Sequence, residues 1–175
     1  MTWQNNRQGG GSYQGSGNRN YNDRPQTEKI PLPVFEYYEA DNQTINPKLF
    51  DETAKKLAES LKGVTGTQLR RIFDEVKRFE QLLETSGDNE EQKWKEQEAY
   101  IRMIKSKVSY STTRATEQAK KQKKFDDIGG YENLSKFVAS GIDKVKKPKD
   151  FKIFVSLFEA VYGFYYEIAP SRASN

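Results

Sequence analysis

From Asn46 to near the end of this 175-residue chain, apolar side chains recur every three or four positions, and no segment alternates with the period of two that a half-buried strand requires. Such a chain buries its apolar surface by laying helices side by side. It reads as all-α, a single bundle of about five helices. Asn46-Pro47 supplies a cap and a first-turn proline for the first helix, whose stripe is Leu49, Phe50, Ala54, Leu57, Ala58 and Leu61, and Gly63 stops it. Thr65 or Thr67 caps a second helix with Leu69, Ile72, Phe73, Val76, Phe79 and Leu83 on one side, and Gly87-Asp88 ends it.

A third helix starts near Glu90, with Trp94, Ile101, Ile104 and Val108 on its core face, and its pattern runs to about Lys124. Past Val108 that face holds only Ser111, Ala115 and Ala119, so the second half is expected to be weakly buried or broken. Gly129-Gly130 reads as a turn into a fourth helix with Tyr131, Leu134, Phe137, Val138, Ile142 and Val145. Pro148 and a capping Asp150 open a fifth. Apolar residues lie on two of its sides: Phe151, Phe154, Val155, Phe158, Val161, Tyr162 and Tyr165 on one, Ile153, Leu157, Ala160 and Phe164 on the other. A helix of that kind is either central or offered to a partner.

The bundle is assigned to residues 47–169, with a short tail at 170–175. Residues 2–29 contain no Ala, Val, Leu or Ile and are rich in Gly, Asn, Gln and Ser; residues 1–29 read as a disordered tail, because too little apolar surface is available to offset the entropy of ordering. Trp3, Tyr13 and Tyr21 alternate there with Arg7, Arg19 and Arg24, a mixture that suits either a solubilising tail or one that stacks on bases. Residues 30–46 read as an extended apolar connector, since Pro31 and Pro33 forbid a regular helix, with Ile30, Leu32, Val34 and Phe35 docked on the bundle or on a partner.

Two absences narrow the chemistry. Without cysteine there is no thiol nucleophile, disulfide or thiolate-bound zinc, and without histidine there is no Ser-His-Asp triad and no HExxH zinc site. No metal set or cofactor is expected, and the chain is not expected to be an enzyme. With no long apolar run and no apolar leader, it is expected to be cytoplasmic and not membrane-bound. Glu159, on an otherwise apolar helix, is expected to lie along a narrow polar strip with Lys152 and Ser156 and not to be a buried acid.

Charge is separated along the third helix. Residues 84–98 carry six acids and two lysines, whereas residues 102–124 carry eight basic residues and one acid, Glu117. At 100° per residue, Lys107, Tyr110, Arg114 and Lys121 form one stripe about 21 Å long beside the core face. Cations along a helix edge with an aromatic ring among them suit a sugar-phosphate backbone with an occasional base contact. A solvated lysine-rich face is the alternative.

Three segments, TGTQLRRIF at 65–73, IKSKVSYSTTR at 104–114 and FVSLFEAVYGFYYE at 154–167, resemble the small helical subunit of type III-A CRISPR effector (Csm) complexes. The likeness covers about residues 47–168, leaves out the first 46, and rests most on Lys105, Lys107, Tyr110 and Arg114, with Glu159-Ala160 in the last segment. It implies a non-catalytic subunit that stacks in several copies along the duplex of crRNA and target RNA and touches the backbone and large subunits of the complex. By matching position, Arg70, Lys105, Lys107 and Arg114 face RNA; the helical projection adds Arg71 and Lys121. The competing readings are a helical protein–protein adaptor using the aromatic last helix, and single-strand RNA binding by the N-terminal tail.

Overall fold

A computed structural model describes residues 30–84 and 89–168. The readings made for residues 1–29, for Gly87 and Asp88, and for residues 170–175 lie outside the described residues. Among the described residues there is no β-strand, only an isolated bridge between Tyr38 and Ile45. A π-turn, Leu49–Thr53, leads into α1, Ala54–Ser60. Then come α2, Gly66–Glu84, and α3, Glu90–Lys121. A 3₁₀ turn, Phe125–Asp127, precedes α4, Ile128–Lys144, and α5, Pro148–Ile168, closes the bundle. Among the described residues the fold is all-α with five helices.

The helix boundaries have local causes. Asn46 Oδ1 accepts the Lys48 N–H at 3.0 Å in the turn leading into the π-turn, whose capping position is Lys48 and not Asn46. Gly63 takes a φ of +95° just past α1, where a side chain would be strained. Of the two candidate caps for α2, Thr65 serves: its Oγ1 accepts the Gln68 N–H at 3.3 Å and donates to Gln68 Oε1. Helix α3 ends in a paired closure, with Lys123 N–H on Lys120 O at 3.1 Å and Lys124 N–H on Ala119 O at 2.9 Å, and Lys123 occupies the left-handed position at φ +58°. Asp150 caps α5 from inside its first turn: Oδ2 accepts from the N–H groups of Lys146 and Lys147 at 2.9 and 3.2 Å, and Oδ1 accepts a hydrogen bond from the Tyr38 hydroxyl at 2.6 Å.

Helix α5 is the centre. It packs against α1, α2, α4 and the π-turn, and touches α3. Both of its apolar sides are therefore used within the chain: Ile153 and Leu157 are buried like Phe154, Phe158 and Val161, and Ala160 and Phe164 are partly buried against the core. Phe137 of α4 sits between Phe154 and Phe158, with ring centroids 5.8 and 5.3 Å away. At the end of α5, Tyr166 and Ile168 are left exposed.

Helix α3 lies antiparallel to both α2 and α4. It does not break after Val108, and its second half is not loosely held. Thr112, Ala115 and Ala119 are buried, while Ser111 turns toward α2. The Thr112 hydroxyl is satisfied by the Val108 carbonyl at 2.9 Å. Small residues let α4 approach closely, so burial here depends on proximity and not on side-chain bulk. Gly129 and Gly130 belong to the first turn of α4 and are not a turn before it. A Cβ at Gly130 would lie 2.1 Å from the Lys62 carbonyl oxygen, so α4 starts in direct backbone contact with the end of α1.

The segment before α1 is tied to the bundle by alternate residues. Phe35 and Tyr37 are buried, whereas Val34 is 91% exposed. Asn133 Nδ2 donates to the Ile30 and Ser60 carbonyls at 2.8 and 2.9 Å, joining the segment, the end of α1 and α4. The Tyr37 hydroxyl donates to Gly141 O at 2.7 Å, and burial first, then the Asp150 charge, pushes its ionisation far above the usual tyrosine range. Glu159 is not buried: it is 60% exposed and meets Lys77 Nζ at 3.3 Å.

Candidate nucleic-acid interface

The antiparallel pairing of α2 with the second half of α3 leaves a groove of 880 Å³ between them. Arg71 stands on the α2 wall, and Lys107, Arg114 and Lys121 stand along the α3 wall. Tyr110 is at the rim, and Ile72, Val108 and Ala115 contribute apolar lining. The four α3 residues at offsets of zero, three, seven and fourteen therefore share one groove, because 3.6 residues per turn carries them along a single edge. Arg71 meets them from the other wall for the same reason: Gln68, Arg71 and Glu75 follow one face of α2 at spacings of three and four.

Two other candidates stand elsewhere. Lys105 is two positions from Lys107, which turns it to the opposite side of α3, and its Nζ meets Asp143 of α4 at 2.5 Å. Arg70 is one position from Arg71, is not among the groove's lining residues, and pairs with Asp74 at 3.8 Å.

Four cations and two carboxylates, Glu75 and Glu117, line the groove, so its charge is positive. Lys107 gives part of its charge to Glu75, whose Oε1 it meets at 2.5 Å, yet its side chain stays 48% exposed. That hydrogen bond, outweighing partial burial, holds the Glu75 carboxyl below its usual range. Among the described residues Arg71, Arg114 and Lys121 make no ion pair. Arg114 instead lies 5.7 Å from the Tyr110 ring centroid and donates to the Tyr110 hydroxyl at 3.3 Å. Tyr110 is 66% exposed, so this guanidinium–phenol pair faces solvent over the groove. Such a pair offers a planar surface for a base beside a charge for its phosphate.

Gln68, Glu75 and Gln118, which no sequence pattern had marked as site residues, complete the polar lining. Gln118 falls on the same projected stripe as Lys107, so the projection could have found it. Glu75 is recognisable only through its contact with another helix. Among the described residues no group of three or more acidic side chains is gathered to hold a metal ion, and no helix is long and apolar enough to cross a membrane.

The family described as Csm2 Type III-A matches residues 44–168 of the chain. No curated protein and no solved structure matches it.

Proposed function

Since the chain belongs to the Csm2 Type III-A family and is thereby a small subunit of a type III-A CRISPR Csm complex, we propose that its α2–α3 groove holds RNA by the sugar-phosphate backbone. The observation that carries this reading is the convergence of Arg71, Lys107, Arg114 and Lys121 on one groove with an exposed Tyr110 at its rim. In a guide-directed complex, base pairing supplies the sequence specificity, and the protein has to recognise only charge and shape. Cations on rigid helices perform that task without a catalytic constellation, and the subunit is non-catalytic. Several copies lie along the duplex of crRNA and target RNA, each holding a short stretch of the target strand beside the backbone and large subunits. Lys105 and Arg70 contribute from outside the groove as secondary contacts. The complex works in the cytoplasm.

The test is the salt dependence of RNA affinity. Four cations engaging three or four phosphates of a single strand give a log–log slope of about −2 to −3 against salt. Fluorescence anisotropy with labelled single-stranded RNAs of unrelated sequence is expected to return that slope and equal affinities. A flat salt response, or affinity confined to one sequence, contradicts the reading.

A further inference from the structure

Of the two groove acids, Glu75 is the one that is paired with cations. Its Oε1 accepts from Lys107 Nζ of α3 at 2.5 Å and from Arg78 NH2 of its own helix at 3.4 Å. Two cations from two helices thus converge on one carboxylate oxygen, as they do around a non-bridging oxygen of a phosphodiester. The side chain is only 30% exposed, and Lys107 lines both this groove and the neighbouring one containing Arg78, Tyr100 and Met103. Lys107 therefore stands where the two grooves meet, and the Glu75 carboxylate is bonded to it from the α2–α3 side.

We propose that this junction is a phosphodiester subsite, which the chain fills with its own Glu75 carboxylate when RNA is absent. This rests on the groove being the RNA site and goes beyond it by assigning a role to an acid. Glu75 keeps Lys107 and Arg78 aimed at one point, so neither has to be ordered when the strand arrives. It also competes with the strand, because a phosphate gains Lys107 only when the carboxylate releases it. Ion pairs as exposed as these are weak, so the exchange moderates affinity without blocking entry. Glu117, the groove's other acid, provides the comparison, since it makes no ion pair among the described residues.

The experiment measures RNA affinity for Glu75→Gln, Glu117→Gln, Lys107→Gln and the Glu75→Gln/Lys107→Gln pair, using the full chain and labelled single-stranded RNA. Glu75→Gln is expected to bind about three-fold tighter at low salt. Its salt slope steepens by about 0.7, the value of one additional neutralised phosphate. Glu117→Gln removes the same charge and is expected to gain less. Lys107→Gln costs more affinity in the Glu75→Gln background than in the wild type, because only there is the lysine fully available. Equal costs in the two backgrounds, or a Glu75→Gln gain no larger than that of Glu117→Gln, overturn the proposal while leaving the groove as the RNA site. No RNA binding by the wild type at low salt overturns both.

Discussion

Replacing Arg71, Lys107, Arg114 and Lys121 together by glutamine is expected to weaken RNA binding on the order of 10²–10³-fold at low salt and to flatten its salt dependence. Each lost cation removes about 0.7 from the log–log slope on a single strand, so four account for nearly all of it. The fold should survive, since all four side chains are exposed and only Lys107 has an acidic partner among the described residues. Helical circular dichroism and the emission of buried Trp94 report on that directly. The informative comparison is Arg70→Gln with Lys105→Gln. Both are cations of the same two helices, but their carboxylate partners, Asp74 and Asp143, lie off the groove lining. That pair is expected to cost less than about ten-fold. If it costs as much as the groove set, affinity follows the total charge of the chain and the groove has no special role.

The second large effect concerns one methyl group. Gly130→Ala puts a Cβ 2.1 Å from the Lys62 carbonyl oxygen and 3.0 Å from that of Leu61, both backbone atoms that cannot rotate away. The start of α4 has to move off the end of α1, carrying Tyr131 and Leu134 out of register with the core. Destabilisation of about 3 kcal/mol or more is expected, which lowers Tm by on the order of 10 °C for a chain of this size. Gly163→Ala is the opposite case. Gly163 is an exposed glycine inside α5 with nothing within 4 Å of the new methyl, and the change is expected to stabilise by about 0.5–1 kcal/mol through backbone entropy. Thermal melts of the two variants should move in opposite directions. A Gly130→Ala protein as stable as wild type would mean that α4 does not begin against α1.

Most of the apolar stripes were legible because burial in a bundle follows the helical period: Leu69, Ile72, Val76, Phe79 and Leu83 of α2 are all buried, as their spacing implies, although Phe50, counted in the first stripe, is exposed. The same arithmetic made most of the groove legible, since a period that aligns apolar residues also aligns Lys107, Tyr110, Arg114 and Lys121. The sequence was harder to read where close approach replaces bulk. Thr112, Ala115 and Ala119 carry little apolar area, so nothing in their composition marks a packed face, and Gly129-Gly130 resembles a turn although Gly130 admits a neighbouring backbone. Pairing between helices was also hidden. Lys105 and Lys107 look equivalent in sequence, yet one meets Asp143 of α4 and the other Glu75 of α2, on opposite sides of one helix. Asp150 was recognisable as a cap, but its hydrogen bond from Tyr38, 112 residues away, was not.

The central claim is tested most directly by ultraviolet crosslinking of the Csm complex to bound target RNA, with the attachment sites in this subunit mapped by mass spectrometry. The account predicts attachment on peptides spanning residues 107–121, with Tyr110 foremost, and on the peptide containing Arg71. Attachment confined to the face formed by α4 and α5, or to residues 1–29 alone, contradicts it.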